Sequence, residues 1–225
     1  MPLVRALGGR APASYRFEPH YNVAPQQRVL GLTNEPVREL SDLRWGLVTN
    51  VAGEPRRHIS TINARIETVA TSPLYGPLLP LRRCVLFADG YYEWQVRSDG
   101  SKQPMWIARR DGATFAFAGL WDGAFENGEP VTACTIVTQP ANPELAVLHE
   151  RMPVVLESVT ADRWLSPDRL EPAAALGLLK PADGREWTYV PVSNSVGNVR
   201  NDSPDLIAPT DAAPVAPSLF DGIGS

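Results

Sequence analysis

The chain has 225 residues, 44% hydrophobic and 20% charged, ordinary for a soluble protein that buries one sizeable core in one domain. A formal net charge of −4 excludes the strongly basic balance of proteins that hold nucleic acid by bulk charge, but leaves room for a local basic groove. No apolar run reaches bilayer-spanning length and no signal-peptide core opens the chain, so a cytoplasmic protein with no membrane attachment is expected.

In chain order, residues 1–20 carry little pattern, and Gly8, Gly9 and Pro12 argue against a helix there. Val29–Thr33, Val37–Leu40 and Leu43–Val48 read as three short strands, followed by a polar loop over Thr49–Ser60 that contains Arg56 and Arg57. Thr61–Ser72 reads as a strand end passing into a helical turn, and Pro73, Pro77 and Pro80 punctuate the loop beyond it. Arg83–Ala88 is a short apolar run with Cys84, Val85, Leu86 and Phe87 together, the pattern of a strand buried on both faces. Asp89-Gly90 then reads as a turn leading into a second strand over Tyr91–Trp94.

Pro104–Arg109, Thr114–Trp121, Val131–Thr138 and Thr188–Val192 supply four more strands, and Thr160–Leu165 and Pro172–Leu179 two short helices. Asn142–His149 reads as helical, with Pro143 in its first turn and Leu145 and Leu148 on one face. Many short strands with few helices predict an α+β domain around a largely antiparallel, barrel-like sheet with short flanking helices. The domain spans 1–207, and the Pro- and Ala-rich stretch 208–225 reads as a disordered tail. Cys84 and Cys134 sit in apolar runs without zinc spacing or a disulfide framework and read as buried, reduced thiols. No metal or other cofactor is expected.

Three stretches place polar residues beside apolar ones: Asn63 to Thr68, Gly90 to Trp94, and His149 to Val154. Strand alternation puts Tyr91 and Glu93 on one face and Tyr92 and Trp94 on the other. A carboxyl held among aromatic neighbours has its pKa raised, which suits proton transfer near neutrality. Each residue also has a plain structural reading. Glu93 would then be a solvated strand glutamate, His149 a packing or capping residue, Asn63 a turn residue, and Arg65 a partner of Glu67 or Glu93.

The order of motifs adds to this. YNVAP at 21–25, RWGLV at 44–48, NARIET at 63–68, RRC…ADGYYEW at 82–94, FAGLW at 117–121 and HERMPV at 149–154 resemble the SOS-response-associated peptidase (SRAP) family. The resemblance covers about residues 21–207 and implies a protein that engages abasic sites in single-stranded DNA. In that family a cysteine directly after the initiator methionine becomes the new N-terminus, and its amine and thiol condense with the ring-opened sugar into a stable crosslink. By match to the motifs, Asn63 would position the reacting terminus, Glu93 would act as acid and base, and His149 would help open the sugar and reverse the adduct. Arg65 would hold a phosphate with its guanidinium fork, and Thr138 would add a backbone contact. Arg56, Arg57 and Arg65 are expected to line one basic groove, with Trp45 and Trp94 as aromatic surfaces for bases. The protein is expected to be a monomer, cytoplasmic and at the nucleoid when on DNA.

The departures are as informative. Position 2 is Pro2, not cysteine, the lead-in to YNVAP is about ten residues shorter than the family pattern, and the second aromatic of the Trp45 motif is Val51. Neither Cys84 nor Cys134 can stand in, since neither has a terminal amine beside its thiol. Three functions remain open: an abasic-site enzyme whose start lies upstream of Met1, a family member that binds damaged or single-stranded DNA without crosslinking, and a small-substrate hydrolase using Glu93 and His149. Pro2, once exposed by loss of Met1, would carry a secondary amine able to form an iminium with an aldehyde. In the tail, Leu219 and Phe220 after Ser218 resemble peptides that dock on sliding clamps, and equally read as a frayed end folded back on the domain. A thiazolidine needs thiol and amine on one residue, so this polypeptide is expected to give no heat-stable adduct with abasic single-stranded DNA. Restoring a Met-Cys-Gly-Arg start with its following segment is expected to restore the adduct, and intact mass spectrometry distinguishes the two.

Overall fold

The computed structural model describes residues 2–48, 60–126, 128–179 and 186–211. Five strands close a barrel: β1 (Arg28–Thr33), β2 (Ser41–Trp45), β6 (Arg83–Ala88), β9 (Phe115–Glu126) and β10 (Glu129–Pro140). The order runs β10-β2-β1-β6-β9 and returns to β10. Every pairing is antiparallel except β10 with β2, where Cys134 lies opposite Trp45. This is the α+β, barrel-like core that the strand pattern predicts.

The apolar run of β6 is explained by two cores on the two faces of the barrel wall. Val85 and Phe87 join Leu32, Ala118 and Trp164 on one face. Cys84 and Leu86 join Phe117, Cys134 and Ile136 on the other. Trp164 ends helix α2 (Ser158–Trp164), whose neighbour is α3 (Pro172–Leu178), and its indole N–H donates to the Cys84 carbonyl at 2.9 Å. Both thiols are free and buried, as expected. Burial pushes their pKa values up, for Cys134 to about 12, so neither is a ready nucleophile.

A second, three-stranded antiparallel sheet runs β13-β8-β7, with β7 (Gly90–Val96) on an edge beside β8 (Lys102–Arg109) and then β13 (Trp187–Pro191). The Asp89-Gly90 turn therefore does not close a hairpin. β6 pairs with β1 and β9, β7 pairs with β8, and the chain changes sheets between them. Gly90 makes the crossing possible, because a Cβ there would lie 2.3 Å from the Trp106 ring and 2.6 Å from the Ile107 carbonyl.

Other expectations are also corrected. A one-turn helix, α1 (Pro2–Ala6), precedes the glycines, with Val4 and Leu7 buried in the core. Gly8, at φ 67°, ends that helix instead of preventing it. Val37–Leu40 forms no strand beyond a single bridge of Glu39 with Arg10. Asn142–His149 is a succession of turns, held by bonds such as Ala146 N–H to the Asn142 carbonyl at 2.9 Å, with Leu145 and Leu148 buried. Pro204–Ile207 is a 3₁₀ turn with Leu206 buried, and Pro209 bridges Val192. Leu219 and Phe220 lie outside the described residues, and no described helix is long and apolar enough to cross a membrane.

Arg83 is fully buried, at 0% exposure, yet no described carboxylate lies within ion-pair distance. Its guanidinium instead donates to the carbonyls of Trp164 (2.9 Å), Ser166 (2.6 Å), Asp168 (2.9 Å), Leu79 (3.3 Å) and Pro80. Burial lowers its pKa, a measure of what that desolvation costs. Arg83→Met is expected to strip the charged donor from these carbonyls, of which Pro80 and Ser166 keep a bond from Leu170 N–H and Asn34, and to cost about 3–5 kcal/mol. Urea unfolding monitored by tryptophan fluorescence reads that loss, and a cost under about 1 kcal/mol would contradict the assignment.

Candidate functional site

Glu93 sits in the middle of β7, opposite Met105 on β8. Strand alternation puts Tyr91, Glu93 and Gln95 on one face. The Tyr91 ring is wedged edge-on against Phe117 and Trp187, so that face meets the apolar side of the barrel wall. Burial raises the Glu93 pKa, and the nearby His149 and the Trp94 backbone N–H offset part of that rise. The Tyr91 phenol is raised too, first by burial and then by the Glu93 charge. The carboxyl is thus half-buried, close to a histidine and poised to hold a proton at higher pH than an exposed glutamate.

His149 lies at the exit of the 142–149 turns, just before β11 (Arg151–Pro153). Its Nδ1 is 3.1 Å from both the backbone N and the backbone O of Arg151. A neutral ring accepts from the Arg151 N–H and carries its proton on Nε2, whereas an imidazolium donates from Nδ1 to the Arg151 carbonyl. The Arg151 backbone unit therefore fixes this edge of the ring.

Asn63 and Arg65 come from β5 (Asn63–Arg65), which lies parallel to β10 with Asn63 opposite Ile136 and Arg65 opposite Thr138. Both side chains are exposed. Neither makes a hydrogen bond or ion pair among the described residues, although Arg65 acts electrostatically on Glu67. Trp45 braces this strand from below, its indole N–H donating to the Ile62 carbonyl at 2.9 Å while its ring packs against the core. Thr138 is 8% exposed, and its carbonyl accepts from the Ile66 N–H (2.8 Å) and from Arg151 (2.8 Å). Trp94 is 40% exposed but lies on the face of β7 opposite Glu93. Arg56, Arg57 and Val51 lie outside the described residues.

Sequence reasoning missed the connectors. Arg151 grips Glu67 with two bonds of 2.9 and 3.0 Å while also holding Thr138, so the end of β5 and the segment carrying His149 are joined through one guanidinium. That grip, more than any other cause, lowers the Glu67 pKa. The YNVAP stretch serves structure. Buried Asn22 donates to the carbonyls of Val196, Asn198 and Asn201, and Asp202 accepts from the N–H groups of Tyr21 and Asn22 and pairs with His20 at 2.7 Å. Tyr92 donates to the Tyr21 carbonyl at 2.7 Å, fastening this clasp to the back of β7. Arg151 was visible as the third residue of HERMPV, but nothing local in the sequence marks Glu67 as its partner. Among the described residues no group of three or more histidine, cysteine or acidic side chains is placed to hold a metal ion.

The raised Glu93 pKa has a stability consequence. The unfolded chain ionises Glu93 at a lower pH than the folded one, so the wild type loses stability as pH rises from the ordinary glutamate value through the raised one. Glu93→Gln is expected to lack that loss. Its stability relative to wild type should therefore climb over this interval and level off above it, as read by urea unfolding across pH 4–8.

Comparison with known proteins shows the family and the fold. Residues 3–199 match the family model described as SOS response associated peptidase (SRAP). The chain is 36% identical over 193 residues to abasic site processing protein YoqW of Bacillus subtilis, covering 85% of this chain and 86% of that one. It is 37% identical over 194 residues to abasic site processing protein YedK of Escherichia coli, covering 84% of each. In three dimensions it is similar to a crystal structure of a Bacteroides thetaiotaomicron protein, with a TM-score of 0.72, 25% identity and 82% of each chain covered. With a family match over residues 3–199 and relatives 36–37% identical over most of both chains, the chain belongs to the SRAP family.

Proposed function

We propose that this protein binds abasic sites in single-stranded DNA and opens the abasic sugar to its aldehyde. The observation that carries this reading is the half-buried Glu93 carboxyl within the electrostatic reach of His149, in a domain whose β5 presents two exposed polar side chains, Asn63 and Arg65, that make no hydrogen bond or ion pair among the described residues. The names of the relatives, abasic site processing proteins, supply the substrate class.

An abasic deoxyribose rests mainly as a cyclic hemiacetal. Opening it breaks the bond from C1′ to the ring oxygen, delivers a proton to that oxygen and takes one from the C1′ hydroxyl. Glu93, protonated at higher pH than an exposed glutamate, is suited to give the first proton, and neutral His149 to receive the second. Reclosure returns each proton by the same route, so one pair serves both directions. Asn63, exposed on β5, is suited to orient the group that attacks the aldehyde. Arg65, exposed on the same strand, offers its guanidinium fork to a phosphate. A covalent thiazolidine requires an N-terminal cysteine. Pro2 supplies no thiol, and Cys84 and Cys134 are enclosed in the core, so the proposal for the polypeptide of this sequence stops at binding and opening.

The test uses a single-stranded oligonucleotide with one abasic site and methoxyamine in solution, which captures each aldehyde as an oxime with loss of water. The protein is expected to speed oxime formation, and Glu93→Gln and His149→Ala to retain DNA affinity while slowing capture by about 100-fold. Arg65→Ala is expected to weaken binding to all sequences alike and to flatten the log affinity against log salt slope by about one unit. Unchanged capture in both acid–base variants would remove the proposal.

A further inference from the structure

We propose that Gln95 is a positioning residue that sets His149 against Glu93. Gln95 follows Glu93 by two residues, so the two side chains leave β7 from the same face. It is 9% exposed, and its Nε2 donates to the Val147 carbonyl at 3.2 Å. Val147 precedes His149 by two residues. One amide side chain therefore spans from the strand that carries the carboxyl to the turn that carries the imidazole, two residues from each.

The turn needs such a tie. Residues 142–149 form no regular helix, and their last internal bond, from His149 N–H to the Leu145 carbonyl, is long at 3.3 Å. Asn142 fixes the start of the segment, its Oδ1 accepting from the Leu145 N–H at 2.9 Å. Leu145 and Leu148 anchor the middle in the core, while Val147 between them is exposed. At the far end, Gln95 is the polar side chain of β7 that reaches the segment. Its strand partner Gln103 cannot share that task, because Gln103 is committed to the Pro104 and Val192 carbonyls, both at 2.9 Å, and to Arg97 at 2.5 Å. Buried amides usually pair both ends. Among the described residues the Gln95 Oε1 makes no hydrogen bond, so the Val147 contact is the one hydrogen bond described for this buried side chain.

The inference rests on reading Glu93 and His149 as one acid–base pair, and two variants of the full chain test it separately from that reading. Gln95→Met keeps length and burial and removes the donor. Gln95→Glu places an acceptor against the Val147 carbonyl while ionised and a donor there once protonated. The Glu93 carboxyl and His149 ring are titrated by NMR, where mutual influence shows as a second step in each curve, and methoxyamine capture is measured alongside. Gln95→Met is expected to shrink the mutual step and slow capture about tenfold, with DNA affinity and the unfolding midpoint near wild type. Gln95→Glu is expected to be at least as slow at neutral pH and to recover, relative to wild type at the same pH, as acidification restores a donor. Wild-type mutual titration and capture in Gln95→Met, with Glu93→Gln inactive, would overturn the positioning role and leave the acid–base reading intact. A lost mutual step in Gln95→Met with Glu93→Gln fully active would uphold the positioning and overturn that reading.

Discussion

The fold depends on a charge placed where hydrocarbon would be expected. Arg83 opens β6 at a point with no access to water, and its side chain holds five backbone carbonyls from two loops, 79–80 and 164–168. Two of these carbonyls are shared, since that of Pro80 also accepts from the Leu170 N–H at 3.0 Å and that of Ser166 from Asn34 at 3.2 Å. Asn34 completes the arrangement. Its Oδ1 accepts from the Arg83 N–H and the Trp121 indole, and its Nδ2 reaches the Leu81 and Ser166 carbonyls. A hydrophobic residue of equal volume would remove the desolvation cost of the charge, but the carbonyls would remain. That makes this arginine a structural device and not a surface ion pair, which would contribute little.

With β6 fixed at that end, its other end delivers the site. The chain leaves the barrel at Ala88, crosses at Gly90 under the Trp106 ring, and enters the second sheet with Glu93 three residues on. The back of β7 is fastened by Tyr92 and the Asn22–Asp202 clasp, and its front faces the aromatic side of the wall. Glu93 is therefore held on a strand gripped from both sides, where a raised pKa comes from rigid burial. His149 is held differently, on a turn whose fixed points are side chains: Asn142, Leu145, Leu148 and Gln95. The proposed acid–base pair thus joins a rigid half to a half that depends on a few named contacts.

Arg151 ties that pair to the strand with the exposed asparagine and arginine. It bonds to Glu67, two residues past Arg65, and to Thr138, opposite Arg65, while its backbone meets the His149 ring. Small shifts of β5 and of His149 are therefore mechanically linked, because one guanidinium and its own peptide unit contact both. A ligand that draws Arg65 outward acts on a strand whose neighbours include the histidine's support.

By itself the sequence determined the local features, those set by a period of two residues and by the chemistry of single side chains. The short apolar run of β6 specified a strand buried on both faces, alternation put Tyr91 and Glu93 on one side of β7, and the enclosed cysteines followed from their neighbours. The motif order gave the family, and named Asn63, Arg65, Glu93 and His149 as its candidate site residues. Only the tertiary structure decided which strands pair. An apolar strand beside Asp-Gly looks the same whether it turns back on itself or crosses to another sheet, and the choice rests on Trp106 covering Gly90 from a strand still to come. The same holds for α1, whose single turn is unstable alone and exists because Val4 and Leu7 find the core. It holds for the couplings of Glu93 with His149, Gln95 with Val147, and Arg151 with Glu67, which join residues 56, 52 and 84 positions apart. Such contacts form only after the chain between them has folded, so no local pattern encodes them.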